Sequence, residues 1–453
     1  MEIVISNNLC LSDVPRPLES EIKKALTLPN PVFQQAQKQG RYTGNLEPSL
    51  RFYKEARTGG LVLPRGYAKN LFSLCHSHGI RPVFEDRRRV LPDVDISFRG
   101  KLRPYQQEAV NAILGRDSGV LNSPVGSGKT IVCLAVIAAR QQPTTVVVHS
   151  SLLLKQWRER AAQFLNIPEG EIGMVGAGHN TIGTRLTIGI KNSVLNCLDE
   201  ITPRTGFLIV DECHRAGSSG YCDLIGAFDC RYLLGISGTP WRSDGLSRVL
   251  HFNLGPMVHK VDPQALVDDG HILNPEIVWR KTRFKTHLDP SSQYTQVVSQ
   301  LVADKERNRQ IVADVLNTIR EGQQTALLLS ERKRHCETLH KMLGQDSVVV
   351  TGDTSTKERE KALEDVRKGK AKALISTNSL IGEGFDMARL SNMFLCSPIK
   401  WKGRTIQLTG RILRPQQGKQ ARLFDYVDSD VGVLKAQAKA RLNTYKGQGW
   451  TWN

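Results

Sequence analysis

The stretch Ser123-Pro124-Val125-Gly126-Ser127-Gly128-Lys129-Thr130 stands between an apolar run, Gly119–Leu121, and a helical pattern, Ile131–Ala139. A glycine-rich turn between strand and helix lets the backbone close around a phosphate, and the helix N-terminus offers it unpaired N–H groups and a positive dipole end. In that setting Lys129 reaches the β- and γ-phosphates and Thr130 ligates Mg2+. The eight residues are therefore expected to hold a nucleotide, with ATP and Mg2+ as cofactors. Ser123 stands where the strict pattern has glycine, so the match is incomplete by one position. A plain Gly/Ser loop before a helix is the simpler alternative, but it leaves Gly-Ser-Gly-Lys-Thr at this place unexplained.

Such a loop needs an acid at the end of a neighbouring strand. The run Phe207-Leu-Ile-Val210 ends in Asp211-Glu212-Cys213-His214. Asp211 is the expected Mg2+ ligand, through water, and Glu212 the expected base for the attacking water. His214 is placed to couple nucleotide state to the rest of the lobe. An acidic pair alone is usually a solvated strand end; its position downstream of the loop argues for chemistry. Hydrolysis also builds charge on the transferred phosphoryl oxygens, which arginine offsets. Gln407-Leu-Thr-Gly410-Arg411-Ile-Leu-Arg414 supplies two arginines three apart, hence on one face if helical. Gln407, Arg411 and Arg414 complete the expected catalytic set with Glu212 and Lys129.

Further outward, short branched-apolar runs alternate with helical patterns from about Lys101 onward: Thr145–His149, Phe207–Val210, Tyr232–Ile236, Thr325–Leu329, Val348–Val350, Ala373–Ser376 and Asn392–Cys396. Runs of this kind suit strands buried on both faces of a parallel sheet. The alternation is too long for one sheet, so two successive α/β lobes are expected, meeting near residues 270–280. The expected domains are 1–98, a small α+β accessory domain; 99–272, the first lobe; 273–433, the second lobe; and 434–453, a basic and aromatic tail.

The chain has 453 residues and a formal net charge of +18, which favours a polyanionic partner. No apolar run approaches the ~20 residues that span a bilayer. The start, MEIVISNNLCLSDVPRP, lacks a basic segment followed by a long apolar stretch and so does not read as a signal peptide. Nucleic acid is thus the expected partner, with no membrane. Nine cysteines without a C-x-x-C pair argue against a disulfide framework and a zinc ribbon, and for a reducing, cytoplasmic setting. Cys75 with His76 and His78 lacks a fourth ligand. Arg51, Arg57, Arg87, Arg88 and Arg89 lie among aromatics in the front domain and are expected to contact DNA. The tail offers Lys435, Lys439, Arg441 and Lys446 with Tyr445, Trp450 and Trp452. These either bind nucleic acid or pack on the second lobe with the lysines facing water; packing is the simpler reading.

The order of phosphate loop, Asp211-Glu212-Cys213-His214, Ser237-Gly-Thr239-Pro240, Gly382-Glu-Gly384-Phe-Asp386 and Gln407-x-x-Gly-Arg411-x-x-Arg414 resembles a superfamily 2 helicase, over roughly Lys101 to Val433. More narrowly it resembles the XPB, RecG and phage UvsW branch-remodelling group, on Leu102-Arg103-Pro-Tyr105-Gln106, Ser237-Gly-Thr239-Pro-Trp-Arg242-Ser-Asp244-Gly245 and Ile381-Gly-Glu-Gly-Phe-Asp386. Asn30-Pro31-Val-Phe33 and Leu63-Pro64-Arg65-Gly66 are similar to the front domain of some tailed-phage helicases. Cys213 replaces the alanine common in the family's second motif and, being small and apolar, is expected to be tolerated. The resemblance implies two tandem RecA-like lobes and an ATP-dependent DNA helicase or translocase acting on forked or branched DNA, as a monomer or weak oligomer in the cytoplasm, that of a host cell if the chain is phage-encoded.

It further implies that Gln106 reads the adenine edge with Arg103 or Tyr105 nearby. Ser237 and Thr239 couple hydrolysis to lobe movement, and Gly384 and Asp386 approach the nucleotide from the second lobe. Ser150, Gln156, Thr187, Lys191, Ser330, Arg332, Thr377 and Asn378 correspond in position to residues that grip the nucleic-acid backbone. Donors on strand-end loops position a strand without reading its sequence. Two alternatives stay open at this point: an RNA helicase, and an ATP-gated clamp that does not translocate. Retention of Glu212, Arg411 and Arg414 counts against the clamp.

Overall fold

The computed structural model describes residues 1–453 apart from 57–58, 218, 240–244, 321–324, 382–388, 400–401 and 453. The chain divides into two compact units. One comprises residues 1–123 and 128–261, the other residues 262–453 with 124–127.

Besides a two-stranded pairing of Thr27–Pro29 with Ser49–Arg51, the described residues of the first unit hold two sheets. Its larger one runs in the order His179–Thr181, Gly173–Gly176, Leu186–Ile190, Thr144–Val148, Phe207–Asp211, Tyr232–Ser237, Ser118–Asn122, Met257–Lys260. Every pairing in it is parallel except the edge hairpin at His179–Thr181. The central strands, such as Thr144–Val148 and Phe207–Asp211, are buried along their whole length. This is why they read as unbroken apolar runs rather than alternating ones. The parallel register brings the carboxyl ends Asn122, Val148, Ile190, Asp211 and Ser237 to one edge of the sheet, where open α/β sheets bind ligands.

The smaller sheet belongs to the front domain and runs Lys54–Glu55, Leu61–Pro64, Asn8–Ser12, Glu2–Ile5, Val83–Asp86. The helices Arg16–Ala25 and Ala68–Ser77 accompany it. Its core is continuous with the first lobe. Ile3, Leu9, Leu18, Leu63 and Tyr67 share one buried cluster with Leu246, Val249 and Phe252. Backbones meet closely at Gly66, where a Cβ would lie 2.3 Å from the Gly255 nitrogen and 2.6 Å from the His251 carbonyl. Arg65 is buried and donates to the carbonyls of Cys230 (2.5 Å) and Ser6 (3.4 Å).

The second unit carries an all-parallel sheet in the order Ser347–Val350, Ala373–Thr377, Thr325–Ser330, Leu390–Leu395, Arg422–Val427, Glu276–Lys281, Thr451–Trp452. The expected lobe boundary at 272/273 falls eleven residues after the division at 261/262. The basic and aromatic stretch from residue 434 onward is part of the second lobe. Residues 432–446 form a helix whose Leu434, Ala438, Arg441 and Tyr445 are buried, and Thr451–Trp452 adds an edge strand beside Glu276–Lys281. Tyr445 stacks with Trp450 at 5.7 Å, and its hydroxyl donates to Asp425 at 2.6 Å. Arg441 is not a surface cation but pairs with Asp425 at 2.7 Å inside the lobe. A buried guanidinium requires such a partner.

Candidate functional site

The loop after Ser118–Asn122 enters the helix Lys129–Arg140 through Gly128, whose φ is +80°; Gly126 has φ +88°. Both angles lie in the region where glycine is unstrained. Ser127 Oγ donates to the Pro124 carbonyl at 2.6 Å, pinning the turn. Among the described residues, the amides of Gly126, Gly128, Lys129 and Thr130 have no backbone acceptor, so the turn presents a set of donors suited to phosphate oxygens. Gln106 is buried and accepts the Arg103 amide at 3.0 Å, while its Nε2 lies 2.6 Å from where a Cβ on Gly128 would stand. Gln106 therefore lies against the loop. Tyr105 is half-buried in the same helix turn and Arg103 is exposed at its cap.

Two strands away in the sheet, Asp211 is buried at the end of Phe207–Asp211. Its Oδ2 accepts from Trp157 Nε1 at 2.8 Å and its Oδ1 from the Glu212 amide at 2.8 Å. Glu212 sits at φ +47°, a strained conformation for a residue with a side chain. Ser237 Oγ donates to Glu212 Oε2 at 3.3 Å and accepts the Thr239 amide at 3.1 Å. His214 Nδ1 lies 3.2 Å from Ser237 Oγ and 3.3 Å from Glu212 Oε2. Ser123 N–H donates to the Ser237 carbonyl at 3.1 Å, tying the loop's start to this network. Burial, then the charge of Glu212, pushes the Asp211 carboxyl up. Burial acts the same way on Glu212, but the His214 hydrogen bond and the Lys129 charge outweigh it and hold Glu212 below the usual carboxylate range. Lys129, Asp211 and Glu212 thus form one electrostatic group, and the buried Asp211 carboxylate is the kind of oxygen donor a hard cation takes. Cys213 is buried against Gly235, where a Cβ would meet its Sγ at 3.0 Å; the small side chain is what this contact admits.

Trp157 was not legible as part of this site, although a tryptophan on a buried helix face needs an acceptor for its one N–H. His149 was missed too. Both its ring nitrogens are buried without a hydrogen-bond partner among the described residues, and burial with the nearby Arg215 charge pushes it down to about 4.

Gln407 lies on the helix Lys402–Thr409 of the second unit. Arg411 and Arg414 follow the helix in a turn where Arg411 N–H donates to the Leu408 carbonyl, so the helical-face argument does not apply to them. Gly384 and Asp386 lie outside the described residues, as does Arg57.

The expected backbone-gripping residues separate. Ser150 caps the helix Ser151–Phe164 and accepts the Leu153 amide, with Gln156 further along the same helix; Lys191 follows the strand end at Ile190 and lies over the Tyr221 ring. Thr187 is corrected. It is buried near the opposite, amino end of its strand, and its hydroxyl accepts the Gly183 amide at 3.1 Å. Ser330 is fully buried and bonded to His335. Thr377 and Asn378 are buried at a strand end, and both polar atoms of the Asn378 amide lack partners among the described residues.

In the front domain Arg51 is exposed and lines, with Phe52, Tyr53 and Lys54, a cleft of about 530 Å³ against Cys222 and Asn253. Arg87 pairs with Glu85; Arg88 pairs with Asp86 (2.7 Å) and Asp117 (3.0 Å); Arg89 pairs with Asp229.

Residues 99–242 match the family described as type III restriction enzyme, res subunit, and residues 307–416 match the helicase conserved C-terminal domain. The chain is 25% identical to the DNA 3'-5' translocase XPB2 of Sulfurisphaera tokodaii, over 78% of this chain and 87% of that protein. It is also 25% identical to a protein of Acanthamoeba polyphaga mimivirus assigned as an ATP-dependent RNA helicase, over 79% of this chain and 70% of the relative. Among solved structures, the fragment structure of an assigned HsdR subunit of a type I restriction enzyme from Vibrio vulnificus superposes with a TM-score of 0.60 at 15% identity, over 97% of this chain and 83% of that one. The two sheets beyond the front domain are tandem RecA-like lobes. The chain belongs to the superfamily 2 helicases, in the XPB-like group. It is accordingly an ATP-dependent nucleic-acid helicase. Among the described residues no helix is long and apolar enough to cross a membrane.

Proposed function

We propose that the chain is a DNA motor that hydrolyses ATP to translocate on one strand and to unwind or branch-migrate forked DNA. The supporting observation is the single network of Lys129, Asp211, Glu212, His214 and Ser237 at the carboxyl edge of the first sheet. In this reading the loop 123–130 holds the triphosphate, Lys129 reaches its β- and γ-phosphates, and Gln106 faces the adenine with Tyr105 and Arg103 nearby. Thr130 and Asp211 hold Mg2+, which when bound neutralises charge on the phosphate oxygens. Glu212 takes the proton of the attacking water. Gln407, Arg411 and Arg414 act from the second lobe, with Gly384 and Asp386. Ser237, Thr239 and His214 transmit the change at Glu212. Ser150, Gln156, Lys191, Arg332, Thr377 and Asn378 hold the strand. DNA is favoured by the name of the archaeal relative, and the mimiviral relative favours RNA as the second reading.

The test is ATPase and unwinding measured side by side on single strand, duplex, fork, four-way junction and RNA–DNA hybrid. Glu212→Gln should retain ATP binding and lose about a thousandfold in turnover, since the amide cannot accept the water's proton. Turnover near wild type in that variant removes Glu212 from the mechanism, and stimulation by RNA alone replaces DNA as the track.

A further inference from the structure

The second lobe contains a cavity of about 710 Å³ between the helices Tyr294–Ala303, Lys305–Arg320 and Lys333–Leu343. Lys305, Arg309, Arg332 and Arg334 line it, and no carboxylate does among the described residues. None of the four side chains makes an ion pair or hydrogen bond with a described residue, and Arg332 Nε is buried with no partner. Grouped at one hollow, with Lys305, Arg309 and Arg334 exposed and Arg332 half-buried, they make a local positive potential that attracts an anion.

The floor of the cavity is rigid and neutral. Asn308 Nδ2 donates to the Val302 carbonyl at 3.0 Å, which leaves its Oδ1 to accept from His335 Nε2 at 2.9 Å. His335 Nδ1 then accepts from Ser330 Oγ at 2.9 Å, and Ser330 Oγ accepts the Arg332 amide at 3.2 Å. Both Asn308 and His335 are buried. Burial, with the charge of Arg307 beneath, keeps the imidazole uncharged at neutral pH. The floor therefore adds no charge of its own but fixes Arg332 where the strand Thr325–Ser330 ends.

We propose that this cavity is a second grip on the nucleic acid, in which Lys305, Arg309 and Arg334 join Arg332 to bind backbone phosphates. The hollow is concave, cationic and lined otherwise by Ser299, Thr338 and short apolar side chains. That chemistry suits phosphate oxygens, and no Phe, Tyr or Trp stands among the described lining residues for a base to stack on, so the grip is independent of sequence. The inference rests on the nucleic-acid track proposed above, because a phosphate backbone is the polyanion such a motor meets.

The experiment uses the full chain with Lys305→Ala/Arg309→Ala together, and Arg334→Ala separately. Binding to a labelled 30-nucleotide single strand is followed by polarisation from 50 to 300 mM salt. Each lost contact should shallow the slope of log affinity against log salt by about 0.7. The double variant should also need several-fold more DNA for half-maximal ATPase, while turnover at saturating DNA stays at the wild-type value. An unchanged slope overturns the proposal. So does an affinity loss that is equal at every salt concentration, since that marks a change of fold rather than a lost phosphate. Wild type that binds DNA with a steep slope but shows no stimulated hydrolysis refutes the motor reading while leaving the grip standing. Wild type that binds no nucleic acid refutes both.

Discussion

Arg87–Arg89 and the Lys305, Arg309, Arg332, Arg334 group make opposite use of the same charge. The first is the denser cluster in the sequence, three arginines in a row, yet every one faces a carboxylate. Arg88 and Arg89 reach Asp117 and Asp229 of the first lobe, so they fasten the front domain to the motor. The second group is scattered over thirty residues and meets no acid among the described residues. Density of positive charge along a chain is thus a poor guide to where free positive charge lies in the fold. What matters is the acid that the tertiary structure brings to each cation.

The largest expected effect tests whether the front domain is structural. Removing residues 1–98 uncovers Leu246, Val249 and Phe252, which are buried in the shared core. At roughly 1.5–3 kcal/mol for each buried side chain, the loss is comparable with the ~5–15 kcal/mol that holds a typical domain together. The truncated chain should be insoluble or unfold far below the wild-type temperature. A soluble truncation with an unchanged melting temperature breaks the distinction drawn between the two clusters.

Next in size is a crossed comparison of single arginines. Arg88→Ala leaves Asp86 and Asp117 facing each other without the guanidinium that is now mostly buried between them, and should cost about 1–2 kcal/mol of stability. Its salt dependence of DNA binding should match wild type. Arg309→Ala should do the reverse, with stability within about 0.5 kcal/mol and a shallower salt slope. Denaturant midpoints and binding isotherms on the two proteins settle it; a shallower slope in Arg88→Ala restores that residue to the DNA surface.

The ATP site was legible because its chemistry is local. Eight consecutive residues make the loop, and Asp211, Glu212 and His214 are adjacent. The sheets were legible because burial on both faces leaves continuous apolar runs; Thr325–Leu329 and Ala373–Ser376 each fall one residue short of the strands Thr325–Ser330 and Ala373–Thr377. What escaped is non-local. Asp117 is 29 residues from Arg88 and Asp229 is 140 from Arg89, so the local sequence shows Glu85 and Asp86 beside the arginines but not the acids that tie Arg88 and Arg89 to the first lobe. Thr187 was carried over by family position, which gives the segment but not the end of the strand Leu186–Ile190 on which a residue falls. That Arg441 is buried was not legible because its partner Asp425, which also takes the Tyr445 hydroxyl, belongs to an earlier strand.

The smallest effect concerns the floor under the unpaired cluster. Burial pushes His335 down to about 3, whereas in the unfolded chain it titrates near the ordinary 6.5. As pH falls, the unfolded chain therefore takes up this proton first. The contribution of a neutral His335 is fully present above about pH 6.5 and is lost progressively below it, down toward pH 3. For one such group the linkage amounts to about 0.7 kcal/mol between pH 7 and pH 6 and steepens toward 1.4 kcal/mol per pH unit below that. His149 adds a similar dependence in the first lobe, so the measurement is the difference between wild type and His335→Gln. The variant is expected to be less stable at pH 7.5, because the bonds to Ser330 and Asn308 are disturbed, but the gap should narrow as the pH is lowered to 5.5. A gap that is constant or widens over that range means the imidazole is charged in the folded lobe. The floor would then add a fifth cation to the hollow, and its neutrality, on which the contrast with the acid-paired arginines partly rests, would fail.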